Sequence, residues 1–235
     1  RSEGSHGMPS IVAPQVLVVA PLAEERAVLH QAFAHCQVID TGEELRIPCA
    51  YIPLLHTLFA PGGHGKAQFA AQTQYLIDQY PSAELVICAG VAGSLHPDVS
   101  VGDVVVGTDT IEHDYQLRFA VRPLPRFPGH EPSLKRLREA ATGISDFRVI
   151  FGIIASGDED VVSAERAAAI HAQTGAVCVA WEGSGAARAA AFSGLDSLEI
   201  RAITDTADKA APQNFAANLT LAMGNLAALL ERFLK

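Results

Sequence analysis

Residues 84–95, ELVICAGVAGSL, decide the fold. Leu85 to Ala89 form a continuous apolar run without polar alternation, and the run ends in glycines. Such a stretch suits a strand covered on both faces, as in sheets with helices packed on either side. VLVVA (16–20), residues 148–155 and LEIRAIT (198–204) share this character. Helical segments separate them. Residues 23–35 place Ala27, Val28, Leu29 and Phe33 at helical spacing, and further helices are expected over 66–80, 131–141, 183–192 and 214–234 and after ASGDEDVV (155–162). Shorter strands are expected near 36–40, 44–51 and 54–60. VGDVVVGTDTIEH (101–113) reads as a strand with Gly102-Asp103 as its turn, and TGAVCVAWEG (174–183) as a strand running into a turn. Residues 119–130, with Pro123, Pro125, Pro128 and, just beyond, Pro132, read as a loop.

This alternation predicts an α/β fold. The expected form is a single-domain three-layer sandwich, with a central twisted sheet, mixed but largely parallel, flanked by helices. The domain should span 8–235, because RSEGSHG (1–7) before Met8 reads as a cloning remnant. No linker, repeat or low-complexity tract divides the chain.

Composition narrows the function. With 49% hydrophobic and 18% charged residues, the 235-residue chain is globular rather than disordered. A net charge of −9 without a Lys/Arg cluster argues against sequence-independent nucleic-acid binding. The expected partner is a small molecule or another subunit. Cys36, Cys49, Cys88 and Cys178 are far apart and form no CxxC or Cys/His pattern. They predict neither a disulfide framework nor a metal site, and fit a reduced, cytoplasmic setting. No apolar stretch approaches the ~20 residues of a membrane-spanning helix. No cofactor is expected.

Polar or glycine-rich stretches recur where apolar strands stop: Glu24-Glu25, Gly62 to Lys66, Gly90 to Ser94, Trp181-Glu182 and Asp205. Ligands of open α/β sheets collect at the carboxyl ends of strands, where a parallel arrangement would gather these residues. Each has a plain alternative. GGHGK lacks the Walker-A spacing and alone is a tight turn, GVAGS alone is close backbone packing, and an acidic residue at a helix start favours the dipole.

Taken together, these stretches resemble the purine nucleoside phosphorylase/nucleosidase superfamily, and within it the 5′-methylthioadenosine/S-adenosylhomocysteine nucleosidases. The motifs are VVAPLAEE (18–25), GGHGKAQFAAQ (62–72), VICAGVAGSLHPDVSVGDVVV (86–106), ASGDEDVV, VAWEGSGAA (179–187) and RAITDTAD (201–208). The resemblance implies a nucleoside phosphorylase-like fold and cleavage of a purine N-glycosidic bond. Asp205 would be the acid that protonates N7 of the leaving base and meets an exocyclic amine. Glu25, with Glu24 as fallback, would activate water, and Glu182 would grip the ribose hydroxyls. Val91, Ala92, Gly93, Asp160, Val161 and Trp181 would contact the substrate. Asp208 is expected to cap the turn after Asp205.

The sequence also departs from the family pattern. Val91 stands where relatives carry Ser or Thr, Asp160 where they carry a base-stacking aromatic, Ala180 where they carry Glu, and Trp181 where Met is usual. Trp181 would then supply an apolar wall in their place, or else be core at a strand end. Phosphorolysis needs cationic donors, and ICAGVAG lacks the arginine that the hexameric phosphorylases carry there. Water is therefore favoured as nucleophile over phosphate. A non-catalytic nucleoside binder is disfavoured because all three carboxylates are present. Lys66 and Arg201 remain as cations, Arg201 within a strand. His64 reads as a solvent-edge or pocket-lining residue. The resemblance places His113-Asp114 near a subunit interface, and implies a homodimer in which residues 113–122 of one subunit, with Phe119 as the aromatic, close the other's pocket.

Overall fold

Val16–Ala20 (β1) and Leu85–Ser94 (β5) run side by side in parallel, with Val16 opposite Leu85 and Val19 opposite Cys88. This computed structural model describes residues 12–41 and 45–235. The 1–7 remnant and the start of the strand expected at 44 lie outside the described residues. Beyond β1 the sheet continues through Thr57–Pro61 (β4), Ala50–Ile52 (β3) and Ile39–Asp40 (β2). On its other side, β5 pairs in parallel with Asp196–Asp205 (β10) along nearly its whole length.

β5 is longer than β1, and the overhang shapes the site. Its last two residues pair antiparallel with Cys178–Ala180 (β9). β9 lies parallel to Val149–Ser156 (β8), β8 parallel to Val104–Glu112 (β6), and β6 antiparallel to β10. These five strands thus close on themselves. The sheet is mixed as expected, with its long registers parallel and its antiparallel pairings short.

Adjacent residues of β1 face opposite helical layers, as the period of two requires. Val18 and Ala20 join Leu29 of α1 (Ala23–Ala32) and Phe33 just past its end, Leu134 and Leu137 of α3 (Glu131–Ala141), and Leu226 and Phe233 of α6 (Ala211–Leu234). Leu17 and Val19 join Phe69 and Leu76 of α2 (Lys66–Gln79) and Ala186 and Ala190 of α5 (Gly183–Phe192). A further helix, α4 (Ala164–Thr174), covers β8 and β9 through Ala167 and Ile170. Ser163 caps it by accepting the Arg166 N–H at 3.1 Å.

Several boundaries move for local reasons. The strand expected at 54–60 starts at Thr57, because Pro53–Leu55 form a 3-10 turn closed by His56 at φ 46°. Within the expected 119–130 loop, Arg126–Pro128 (β7) pairs with the edge of β6, where proline is tolerated for want of a second neighbour. The last helix begins at 211 rather than 214, with Pro212 in the first turn, where its missing N–H costs nothing. β10 extends through Asp205, so that carboxylate occupies the final strand position rather than the loop beyond. The register against β5 shifts between Ile203 and Asp205.

Candidate active site

Glu25 sits in the first turn of α1 and is 2% exposed. Its Oε2 accepts the Leu22 N–H at 2.7 Å, satisfying a donor at the helix start, and its Oε1 accepts the Val91 N–H at 2.8 Å across the cavity floor. Burial raises its pKa from 4.5 to about 7, against the opposing pull of the Val91 N–H, the Arg201 charge and the Leu22 N–H. At neutral pH this carboxyl is therefore poised to hold or release a proton.

Glu182 follows β9 at the N-terminus of α5 and is also buried. Its Oε2 accepts from Arg201 at 3.1 Å, and its Oε1 accepts the Gly65 N–H at 3.4 Å and lies 3.3 Å from Nδ1 of His64. Arg201, in mid β10, is 1% exposed. Its guanidinium donates to Glu199 at 2.8 Å, to Glu182, to the Val91 carbonyl at 3.3 Å and to the Cys88 sulfur at 3.3 Å. Glu199 in turn accepts from the Thr110 hydroxyl. The network ties three strands and two helix starts together beneath the cavity, and leaves Arg201 occupied on every nitrogen.

Asp205 lies at the other end. Its Oδ1 accepts the Ala207 N–H at 2.9 Å, and its Oδ2 accepts the Thr204 hydroxyl at 2.8 Å. Burial nonetheless raises its pKa from the ordinary aspartate value. Gly93 faces it closely, since a Cβ there would stand 2.8 Å from Oδ1. The sharp turn after β10 is set by Ala207 at φ 50° and by Asp208, whose carboxylate accepts the Ala210 N–H at 2.8 Å and the Thr206 hydroxyl at 2.7 Å. The capping role expected for Asp208 is thereby seen.

One cavity of about 280 Å³ joins these groups. Glu25, Glu182 and Asp205 line it together with Val91, Ala92, Gly93, Asp160, Val161 and Trp181. Phe119 does not line the cavity of its own chain; it is fully exposed at 108%. Other residues complete the wall: Leu22 before α1, Phe215 and Pro212 from the first turns of α6, and above all Arg201, which the sequence offered only as a cation within a strand. An arginine inside the apolar run LEIRAIT was itself a sign, because a buried charge needs carboxylate partners at hand. Lys66 points elsewhere, with its Nζ held by Glu112 at 2.8 Å and Asp114 at 2.6 Å. His113 and Asp114 form no catalytic pair, since the His113 ring is buried with neither nitrogen hydrogen-bonded among the described residues. No group of three metal-ligating side chains occurs among the described residues, and none of their helices is long and apolar enough to cross a membrane.

The chain matches the phosphorylase superfamily over residues 17–235. It belongs to that superfamily. A 5′-methylthioadenosine/S-adenosylhomocysteine nucleosidase from Marinomonas sp. (strain MWYL1) is 27% identical over 183 residues, covering 74% of this chain and 78% of that protein. The corresponding nucleosidase from Neisseria meningitidis, solved in complex with methylthio-immucillin-A, is 28% identical and superposes with a TM-score of 0.81 over 93% of this chain and 97% of that one. Futalosine hydrolase of Helicobacter pylori strain 26695 shares the fold, with a TM-score of 0.84 at 23% identity over 94% of this chain and 97% of that one. The resemblance read from the sequence motifs is borne out.

Within this phosphorylase-superfamily fold, the departures at Val91, Asp160, Ala180 and Trp181 all fall on the cavity wall. Val91 contributes through its backbone, its N–H to Glu25 and its carbonyl to Arg201. The Trp181 indole stacks on the His64 ring with centroids 4.1 Å apart. Trp181 is therefore both cavity wall and packing partner.

Proposed function

We propose that the protein is an N-ribosyl hydrolase that cleaves the N-glycosidic bond of a purine nucleoside, with a 5′-thio-substituted adenosine such as 5′-methylthioadenosine or S-adenosylhomocysteine as substrate. The observation that carries this reading is the joint placement of Glu25, Glu182 and Asp205 on one cavity. Cleavage builds positive charge on the ribose and negative charge on the leaving purine. Asp205, kept protonated more readily by its burial, donates to N7 and so releases a neutral base. Glu25 in its ionised form takes a proton from the attacking water on the sugar side. Glu182 accepts from the ribose hydroxyls, contacts that strengthen as the sugar becomes cationic.

Electrostatics favour water over phosphate. Five carboxyl residues line the cavity (Glu25, Glu159, Asp160, Glu182 and Asp205), and Arg201 is the lining residue of the Lys/Arg type among the described residues. Its donors are already engaged, so a phosphate dianion would meet carboxylates without an available fork. The 27% and 28% identical nucleosidases support adenine nucleosides with a 5′-thio group. A homodimer, with the partner's Phe119 region closing the cavity mouth, fits the full exposure of this ring.

A nucleoside panel tests the assignment. Free adenine should be released from 5′-methylthioadenosine or S-adenosylhomocysteine faster than any base from inosine, guanosine or a pyrimidine nucleoside. Preference for another base would reassign the substrate, and no base released from any of them would remove the activity.

A further inference from the structure

None of the steps above uses His64, yet two contacts converge on it. Its imidazole stacks on Trp181, centroids 4.1 Å apart and planes 27° apart. Its Nδ1 lies 3.3 Å from Oε1 of Glu182. The imidazole is half-exposed at the cavity rim, and the carboxylate it approaches is buried. One ring thus joins the chain's single tryptophan to the carboxylate assigned to the ribose.

The backbone is built to put it there. Gly63 and Gly65 both have positive φ, +81° and +86°, which L side chains rarely adopt. The turn between them lifts residue 64 off the start of α2 and over Trp181. Asp158, in the loop after β8, secures the turn by accepting the Lys66 N–H at 2.8 Å.

Glu182 needs such a neighbour. Arg201 fixes its Oε2 at 3.1 Å, but among the described residues Oε1 accepts only a long hydrogen bond, from the Gly65 N–H at 3.4 Å. The terminal torsion of a glutamate is broad, so a carboxylate held firmly at one oxygen still swings about that contact. Gripping two vicinal hydroxyls requires both oxygens in a fixed plane.

We propose that His64 is a positioning residue for Glu182: with its ring orientation set by the stack on Trp181, it steadies Oε1 so that the carboxylate meets both hydroxyls of a ribose. The proposal rests on the reading of Glu182 as the ribose-binding carboxylate. It makes the chain selective for nucleosides with an intact 2′,3′-diol over 2′-deoxynucleosides.

The test compares 5′-methylthioadenosine with its 2′-deoxy counterpart on the full chain carrying Glu182→Gln, His64→Leu or His64→Asn, each first shown to be folded by its melting temperature. Leucine keeps bulk at the site but has no donor, whereas the asparagine amide nitrogen stands near the place of Nδ1. Removing a donor that stands 3.3 Å from a buried carboxylate oxygen leaves that oxygen less satisfied, which corresponds to a factor of about ten. His64→Leu should therefore raise KM for the ribonucleoside about tenfold with kcat changed much less, and leave the 2′-deoxynucleoside unaffected. His64→Asn should restore KM to within about threefold of wild type. The tryptophan emission should shift in both His64 variants as the stack is lost. If Glu182→Gln abolishes the preference for the diol while His64→Leu preserves it, the role of His64 is refuted and that of Glu182 stands. Equal KM values for the leucine and asparagine variants would likewise refute it, leaving a packing role. A preference that survives Glu182→Gln would overturn the reading of Glu182 itself, and this proposal with it.

Discussion

Replacing Glu25 by glutamine should flatten the pH dependence of folding stability. The carboxyl is buried, and its pKa rises from 4.5 to about 7 in the fold. Below the unfolded value both states hold the proton, and above the folded value both have lost it. Between the two, the folded state retains a proton that the unfolded state has released. The stability that wild type draws from this group is therefore lost as pH rises from about 4.5 through about 7, by about 3 kcal/mol in total. Glutamine cannot titrate, so the difference in unfolding free energy between wild type and Glu25→Gln should itself change by that amount. Glutamine also offers one carbonyl oxygen to two donors, the Leu22 and Val91 N–H groups. The variant should consequently carry a pH-independent loss of about 1–3 kcal/mol, which dominates at low pH and is offset at high pH. Urea unfolding followed by circular dichroism at pH 4.5 and pH 8 gives both quantities. Two stability curves that stay parallel across this range would mean that Glu25 does not titrate there, and the account of a carboxyl poised near neutrality would be wrong.

Asp205→Asn should preserve the fold and lower turnover by about 10²–10⁴-fold, the worth of a general acid, with much less effect on ligand affinity. A folded variant keeping more than about a tenth of wild-type turnover would return Asp205 to a structural role. Asp208→Ala should instead lower the melting temperature, because it removes the acceptor of the Ala210 N–H and the Thr206 hydroxyl, and leave the chemical step alone. Adenine should change the emission of Trp181 saturably, because the indole lines the cavity. Unchanged emission at a concentration shown by calorimetry to saturate the site would place the base away from it.

Much of the fold was legible because β1, β5, β8 and β10 are apolar enough to announce burial on both faces, and the helices between them carry their own period. The closing of β5, β10, β6, β8 and β9 on themselves was not legible. It depends on a two-residue pairing between β5 and β9, and so short a register leaves no pattern in the sequence. The strand at Arg126–Pro128 was hidden by Pro128 and the preceding Pro125, which an edge position tolerates. Among the site residues, the three carboxylates were readable from their motifs, and the cavity gathers them. Arg201 was set aside because it lies inside a strand. Its four partners come from β5, β10 and the start of α5, so the reason a charge survives there is tertiary. His64 was visible as a glycine-turn residue, but its contacts with Trp181 and Glu182 span more than a hundred positions of sequence.

On the proposed hydrolytic reading, water rather than phosphate attacks the sugar, because the arginine that lines the cavity among the described residues is already engaged. The most direct test of that reading is the identity of the sugar product when 5′-methylthioadenosine is turned over with and without inorganic phosphate, followed by phosphorus and proton NMR. Hydrolysis should give free 5-methylthioribose and adenine at equal rates in both conditions. A 5-methylthioribose 1-phosphate product, or turnover that requires phosphate, would contradict it.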